Sequence, residues 1–67
     1  MKADLVEISR QEPGKKYLVR IQVGEEVIRR LIDQPKDAGE GALRDAAVGV
    51  AAQEGYSIGS SEVVVVT

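Results

Sequence analysis

Gly24-Glu25-Glu26-Val27-Ile28-Arg29-Arg30-Leu31-Ile32-Asp33-Gln34 is the stretch on which the fold of this chain turns. Wound as a helix, it gathers Val27, Ile28, Leu31 and Ile32 on one side and spaces Glu25 to Arg29 and Glu26 to Arg30 as favourable i,i+4 pairs, and Pro35 ends it. Drawn out as a strand, it follows Val23 through a two-residue Gly24-Glu25 turn, the glycine-first form that suits a type II′ hairpin. The strand carries a cost, because that pairing sets Arg20 opposite Arg29. The helix carries a larger one. Gly24 is a weak N-cap, and almost no residues remain to turn the chain from the sheet edge onto its face. A strand is therefore the expectation, and a short helix is the alternative.

Upstream, the residues alternate from Ala3 to Arg10 and again from Tyr17 to Val23, and Glu12-Pro13-Gly14-Lys15 places proline and glycine at the centre of a type II turn. A hairpin follows. Pairing Gln11 with Lys16 sets Ile8 opposite Val19 and Val6 opposite Ile21, while on the other face Glu7 meets Arg20. One register thus satisfies both faces. The expected buried side is Val6, Ile8, Val19, Ile21 and Val23, with Tyr17 at its margin.

Downstream, Asp37-Ala38-Gly39-Glu40 has the form of a capping box, and the residues after it repeat with helical period. The expected apolar stripe is Leu43, Ala46, Ala47, Val50 and Ala51, with Arg44, Asp45 and Gln53 towards water. Gly55 stands where a left-handed C-cap is wanted, with Tyr56 as its apolar companion. Ile58 and Gly59-Ser60-Ser61 then lead into a final strand, Glu62 to Thr67, holding four consecutive valines, Val63, Val64, Val65 and Val66. Successive strand residues point to opposite faces, so this run asks for apolar cover on both sides of the sheet. With a single helix, only one side is covered. Alternate valines then lie open unless another chain meets them.

Composition narrows the function. Sixty-seven residues form one small domain whose core is thin, and with no cysteine and no histidine neither a disulfide nor an ordinary zinc, haem or iron–sulfur site can staple it. Oligomerisation is the remaining common reinforcement. The net charge of −2, from 9 basic and 11 acidic side chains, creates no long-range attraction for nucleic acid or anionic lipid. No stretch approaches a membrane span or a signal-peptide core, so the expected location is cytoplasmic.

Catalytic or ligand chemistry finds few footholds. Gly39-Glu40-Gly41 ahead of a helix is not a phosphate loop, because Asp37 and Glu40 already bring carboxylates to the helix start. Ser57, Ser60 and Ser61 lack an activating histidine and any Ser-x-x-Lys or Gly-x-Ser-x-Gly arrangement, and turn positions explain them better. Asp33, Asp37, Glu40 and Asp45 have no EF-hand spacing. Arg29, Arg30 and Lys36 are a candidate basic patch, but stacking aromatics are scarce, with only Tyr17 and Tyr56 in the chain.

The expectation is an α+β domain over residues 1–67: a small antiparallel sheet in the order β-β-β-α-β with one helix on one face, the alternative being β-β-α-α-β. The expected function is a non-enzymatic interaction module without cofactor or metal, self-associating as a homodimer or binding a protein partner through the sheet edge or the valine face, Val63 to Val66. A nucleic-acid-associated regulator using Arg29, Arg30 and Lys36 is the alternative. No small molecule is identifiable.

Overall fold

A computed structural model describes residues 1–11, 16–35 and 38–66. The elements run β1 (Leu5–Gln11), β2 (Lys16–Val23), β3 (Glu26–Asp33), α1 (Glu40–Gln53), a single 3₁₀ turn (Ser60–Glu62) and β4 (Val64–Val66). The expected order β-β-β-α-β is therefore the order found, and the deciding stretch is a strand.

The β1–β2 register is the one that satisfies both faces. Val6 pairs with Ile21, Ile8 with Val19, Glu7 with Arg20 and Gln11 with Lys16. The turn expected at Glu12-Pro13-Gly14-Lys15 lies outside the described residues. Between β2 and β3 the register runs from Val23 with Glu26 to Lys16 with Asp33, leaving Gly24 and Glu25 as the two-residue turn. Gly24 has φ +59° and no non-glycine residue among those described has a positive φ, which is the glycine-first conformation a type II′ turn needs. A carboxylate from β1's approach fixes this turn: the Gly24 amide donates to Asp4 Oδ2 at 2.6 Å. That contact joins residues 20 apart and gives the turn a partner that a helix starting at Gly24 would lack. Arg20 does face Arg29. Both point to the face that α1 leaves open, and Glu7 flanks Arg20 on its other side.

The sheet order is β3-β2-β1-β4, and β4 lies parallel to β1, with Ile8 opposite Val65. The sheet is thus mixed rather than wholly antiparallel. The reason lies in the chain path: α1 carries the chain from the β3 edge across β2 and β1, and a helical crossover delivers its second strand parallel to its first. The final strand also starts later than Glu62, because Ser60–Glu62 winds into the 3₁₀ turn; Thr67 lies outside the described residues.

Helix α1 begins at Glu40 with Gly39 as N-cap, whose carbonyl accepts the Leu43 amide at 3.1 Å, and no side chain caps it among the described residues. The expected capping role of Asp37 lies outside them. Glu40 turns to Arg44 instead, at 2.7 Å. The other end matches expectation. Gly55 has φ +90°, the Gly55 amide donates to Ala52 O at 3.0 Å and the Tyr56 amide to Ala51 O at 2.9 Å, which together form a Schellman motif.

The core lies between α1 and one face of the sheet. Val6, Ile8, Tyr17, Val19 and Ile21 from the sheet meet Leu43, Ala47 and Ala51 from the helix, and Ala3 and Val63 close its ends. Alanines let α1 sit close to the strands, and each contributes little area, so the core is thin. Arg44, expected to face water, is a strut. Its Nη1 donates to Ser60 O at 2.9 Å and to Val63 O, which ties the helix to the turn that starts the valine run.

Candidate interaction face

The face of the sheet opposite α1 has no element over it among the described residues. Register and pleat place its side chains in cross-strand rows. One row reads Leu31, Leu18, Ser9, Val66 from β3 to β4. The next reads Arg29, Arg20, Glu7, Val64, and a third reads Val27, Gln22, Leu5. Asp33, Lys16 and Gln11 close the far end, where Lys16 Nζ and Asp33 Oδ1 pair at 2.9 Å.

Four large apolar side chains are strongly exposed among the described residues: Met1 at the terminus, Leu31 (62%), Val64 (43%) and Val66 (43%). The last three share this bare face. The four valines therefore divide. Val64 and Val66 are on the bare face, whereas Val63 is 2% exposed within the core and Val65, opposite Ile8, packs against the core from the helix side. Alternation through a strand produces this division, and it takes Val63 and Val65 out of the expected interface.

Apart from Lys16 and Asp33 at its end, the charges on the bare face are unpaired within the described residues. Glu7 and Arg20 are cross-strand neighbours, yet neither makes an ion pair there, nor does Arg29. Arg20 Nε is shielded from water and has no hydrogen-bond partner among them. Such a group is costly, since a shielded donor loses its water without gaining a protein acceptor.

Arg29 and Arg30 of the candidate basic patch are not brought together. Arg29 lies on the bare face and Arg30 on the other, where its Nη2 meets Glu54 Oε1 at 3.0 Å; Lys36 lies outside the described residues. Arg30 Nη1 also donates to Arg29 O at 2.9 Å. In a hairpin closed by a two-residue turn, Val23 and Glu26 exchange both backbone bonds, so the peptide groups of Val27, Arg29 and Leu31 point off the sheet. Arg30 therefore occupies one acceptor on the free β3 edge. The opposite edge, β4, is only three residues long.

The serines singled out in the sequence hold a β-bridge and a turn. The Ser57 carbonyl accepts the Ala3 amide at 3.0 Å and the Ser57 amide donates to Met1 O at 2.8 Å, fastening the N-terminus, while Ser60 and Ser61 lie in the 3₁₀ turn. In that turn the Gly59 amide donates to Glu62 Oε1 at 3.2 Å and Lys2 Nζ lies 3.3 Å from Glu62 Oε2. The backbone hydrogen bond, and then Lys2, hold the Glu62 carboxyl below the ordinary carboxylate range. Among the acidic residues, Asp33 pairs with Lys16 and Glu40 with Arg44, and no metal-holding group of three occurs among the described residues. No helix among them is long and apolar enough to cross a membrane.

The bare-face residues Leu5, Leu18, Leu31, Glu7 and Arg20 were not singled out by the valine run. Their signal was in the sequence: Leu18 stands between Tyr17 and Val19, an apolar residue in the polar phase of β2. Compared with protein-family models, curated proteins and solved structures, the chain matches none.

Proposed function

We propose that this chain is a non-enzymatic interaction module that engages a protein partner through the uncovered face of its sheet. The observation that carries the reading is that Leu31, Val64 and Val66, all exposed, lie on that one face, Leu31 at its β3 edge and the two valines at its β4 edge. Leu18 and Leu5, half-buried on the central strands, add apolar surface between those edges, and exposed apolar surface gathered on one uncovered face is a mark of interaction sites. Strand addition at an edge has less support, because β4 is short and Arg30 occupies an edge carbonyl of β3. Nucleic-acid binding also has less, because Glu7 stands in the same row as Arg20 and Arg29, and Arg30 is engaged by Glu54.

The test places a photoreactive benzoylphenylalanine at Leu31 in cells that make the chain, with the same group at Ala52, exposed on the helix, as control. Irradiation is expected to yield a protein adduct from position 31 and none from position 52. No adduct from position 31, or equal adducts from both, overturns the reading.

A further inference from the structure

We infer that the occupant of the bare face is a second copy of this chain, docked sheet on sheet about a two-fold axis parallel to the strands and midway between β1 and β2. The inference rests on the binding-face reading and names the partner. A two-fold axis lying between two facing sheets in this direction reverses the order of strands and keeps the rows, so β2 lies over β1 of the second copy and β3 over β4. The Arg29, Arg20, Glu7, Val64 row then meets itself reversed. Glu7 faces the second copy's Arg20, and Arg20 faces its Glu7. In the adjacent row Leu31 faces the second copy's Val66, and Leu18 its Ser9. One operation brings charge to opposite charge at the axis and Leu31 to Val66, and it sets Arg29, at the margin of the face, over the second copy's Val64.

The competing two-fold, across the strands, does not bring the central charges to opposite ones: through the Leu31 row it sets Leu31 on Leu31 and Arg29 on Asp33, but Arg20 on the second copy's Lys16. Passing through the charged row, it sets Arg20 on Arg20 and Glu7 on Glu7; passing between rows, it sets Leu31 on Arg29 and Leu18 on Arg20. Facing sheets also settle at about 30° to one another, which preserves the match best close to the axis, where Glu7 and Arg20 stand. In the single chain Arg20 Nε has no hydrogen-bond partner among the described residues, and a carboxylate arriving from the second copy gives this guanidinium an acceptor.

Size sets the strength. Strands about 4.8 Å apart and about seven residues long give a flat face on the order of 400 Å² per copy. Even with side-chain relief, the total falls near or below the lower end of the roughly 1,200–2,000 Å² buried by stable complexes, so the dimer is a weak one, in the micromolar range.

Sedimentation equilibrium on wild type, Glu7→Arg, Arg20→Glu and an equimolar mixture of the two variants tests this, with circular dichroism confirming that each is folded. Wild type is expected to dimerise, and each single reversal to raise Kd at least about tenfold, because like charges then meet twice in each dimer. The mixture is expected to dimerise within about threefold of wild type. In the mixed dimer the arginine introduced at position 7 of one chain meets the glutamate introduced at position 20 of the other, and the unchanged Arg20 and Glu7 meet in turn. A role of Glu7 and Arg20 confined to their own chain cannot produce rescue by mixing. Wild type that stays monomeric up to about 1 mM, single variants that associate as well as wild type, or a mixture no better than its components each overturns the inference. If a reversal unfolds the chain, Leu31→Lys and Val66→Glu replace the pair. Each alone weakens the dimer, and their mixture recovers one lysine-to-glutamate contact between the two substituted positions and one unchanged Val66 to Leu31 contact. Failure of that mixture to exceed both variants overturns it equally. A monomeric wild type beside a cross-link from position 31 to a different protein removes the homodimer and leaves the binding face standing.

Discussion

The two faces of this sheet are built from the same strands and differ in what lies over them. On one, Val6, Ile8, Val19 and Ile21 are fully buried under an alanine-rich helix. On the other, Leu31, Val64 and Val66 stand exposed around Glu7, Arg20 and Arg29, which find no ion-pair partner among the described residues. A chain with one crossover helix can cover one face only, and the valine run feeds both, since alternation sends Val65 inward and Val64 and Val66 outward. The difference teaches that apolar content does not itself define the core. Position relative to α1 does.

Substitutions on the two faces should therefore have unequal effects. Ile8→Ala removes a fully buried side chain and is expected to lower stability by about 2–5 kcal/mol in urea unfolding, whereas Leu31→Ala, measured where the chain is dilute, stays within about 0.5 kcal/mol of wild type. Equal losses would abolish the distinction between the faces. Within the valine run, Val65→Lys drives an ammonium group against the core side and is expected to cost about 1–3 kcal/mol, while Val64→Lys leaves thermal stability within about 0.5 kcal/mol. The reverse order would mean that the strand presents its other side.

Smaller effects sharpen the account of the helix and the turn that follow. Gly49 sits inside α1 with open space around the position of a Cβ, so Gly49→Ala is expected to stabilise the chain by about 0.5–1 kcal/mol; a loss would show that α1 packs more closely there. The smallest effect lies at Glu62. Its carboxyl is held below the ordinary range in the folded chain, so its contribution is present above the unfolded-state value and is lost as pH falls through the folded one. Wild type and Glu62→Gln should thus differ by a constant amount near neutrality and converge in acid. A gap that widens as pH falls would contradict the Gly59 and Lys2 contacts.

Much of the fold was legible because independent features agreed. The hairpin register was fixed by Val6, Ile8, Val19 and Ile21 together with Glu7 and Arg20, and the helix end by Gly55. The deciding stretch was harder for a physical reason: Val27 and Leu31, like Ile28 and Ile32, are four apart, a spacing that shares one face of a strand and nearly one face of a helix. The contact from Asp4 to the Gly24 amide, which holds the turn, spans too much sequence to be read locally. Parallel pairing of β4 depended on the path of α1 over the sheet, and Arg44's reach to Ser60 and Val63 on where the 3₁₀ turn falls. At the candidate site, the exposed valines were legible as a run needing cover. The division among them, and the row joining Val66 to Leu31, required the cross-strand register.

In the proposed dimer the bare face, and not the rest of the surface, closes against a second copy. Methyl chemical shifts of wild type recorded between about 10 µM and about 1 mM address it most directly, since that range brackets a weak dimer. Concentration-dependent shifts are expected for the methyls of Leu18, Leu31, Val64 and Val66, with those of Ile8, Ile21 and Val63 unmoved. Shifts that do not change with concentration, or that fall on the helix side, would contradict it.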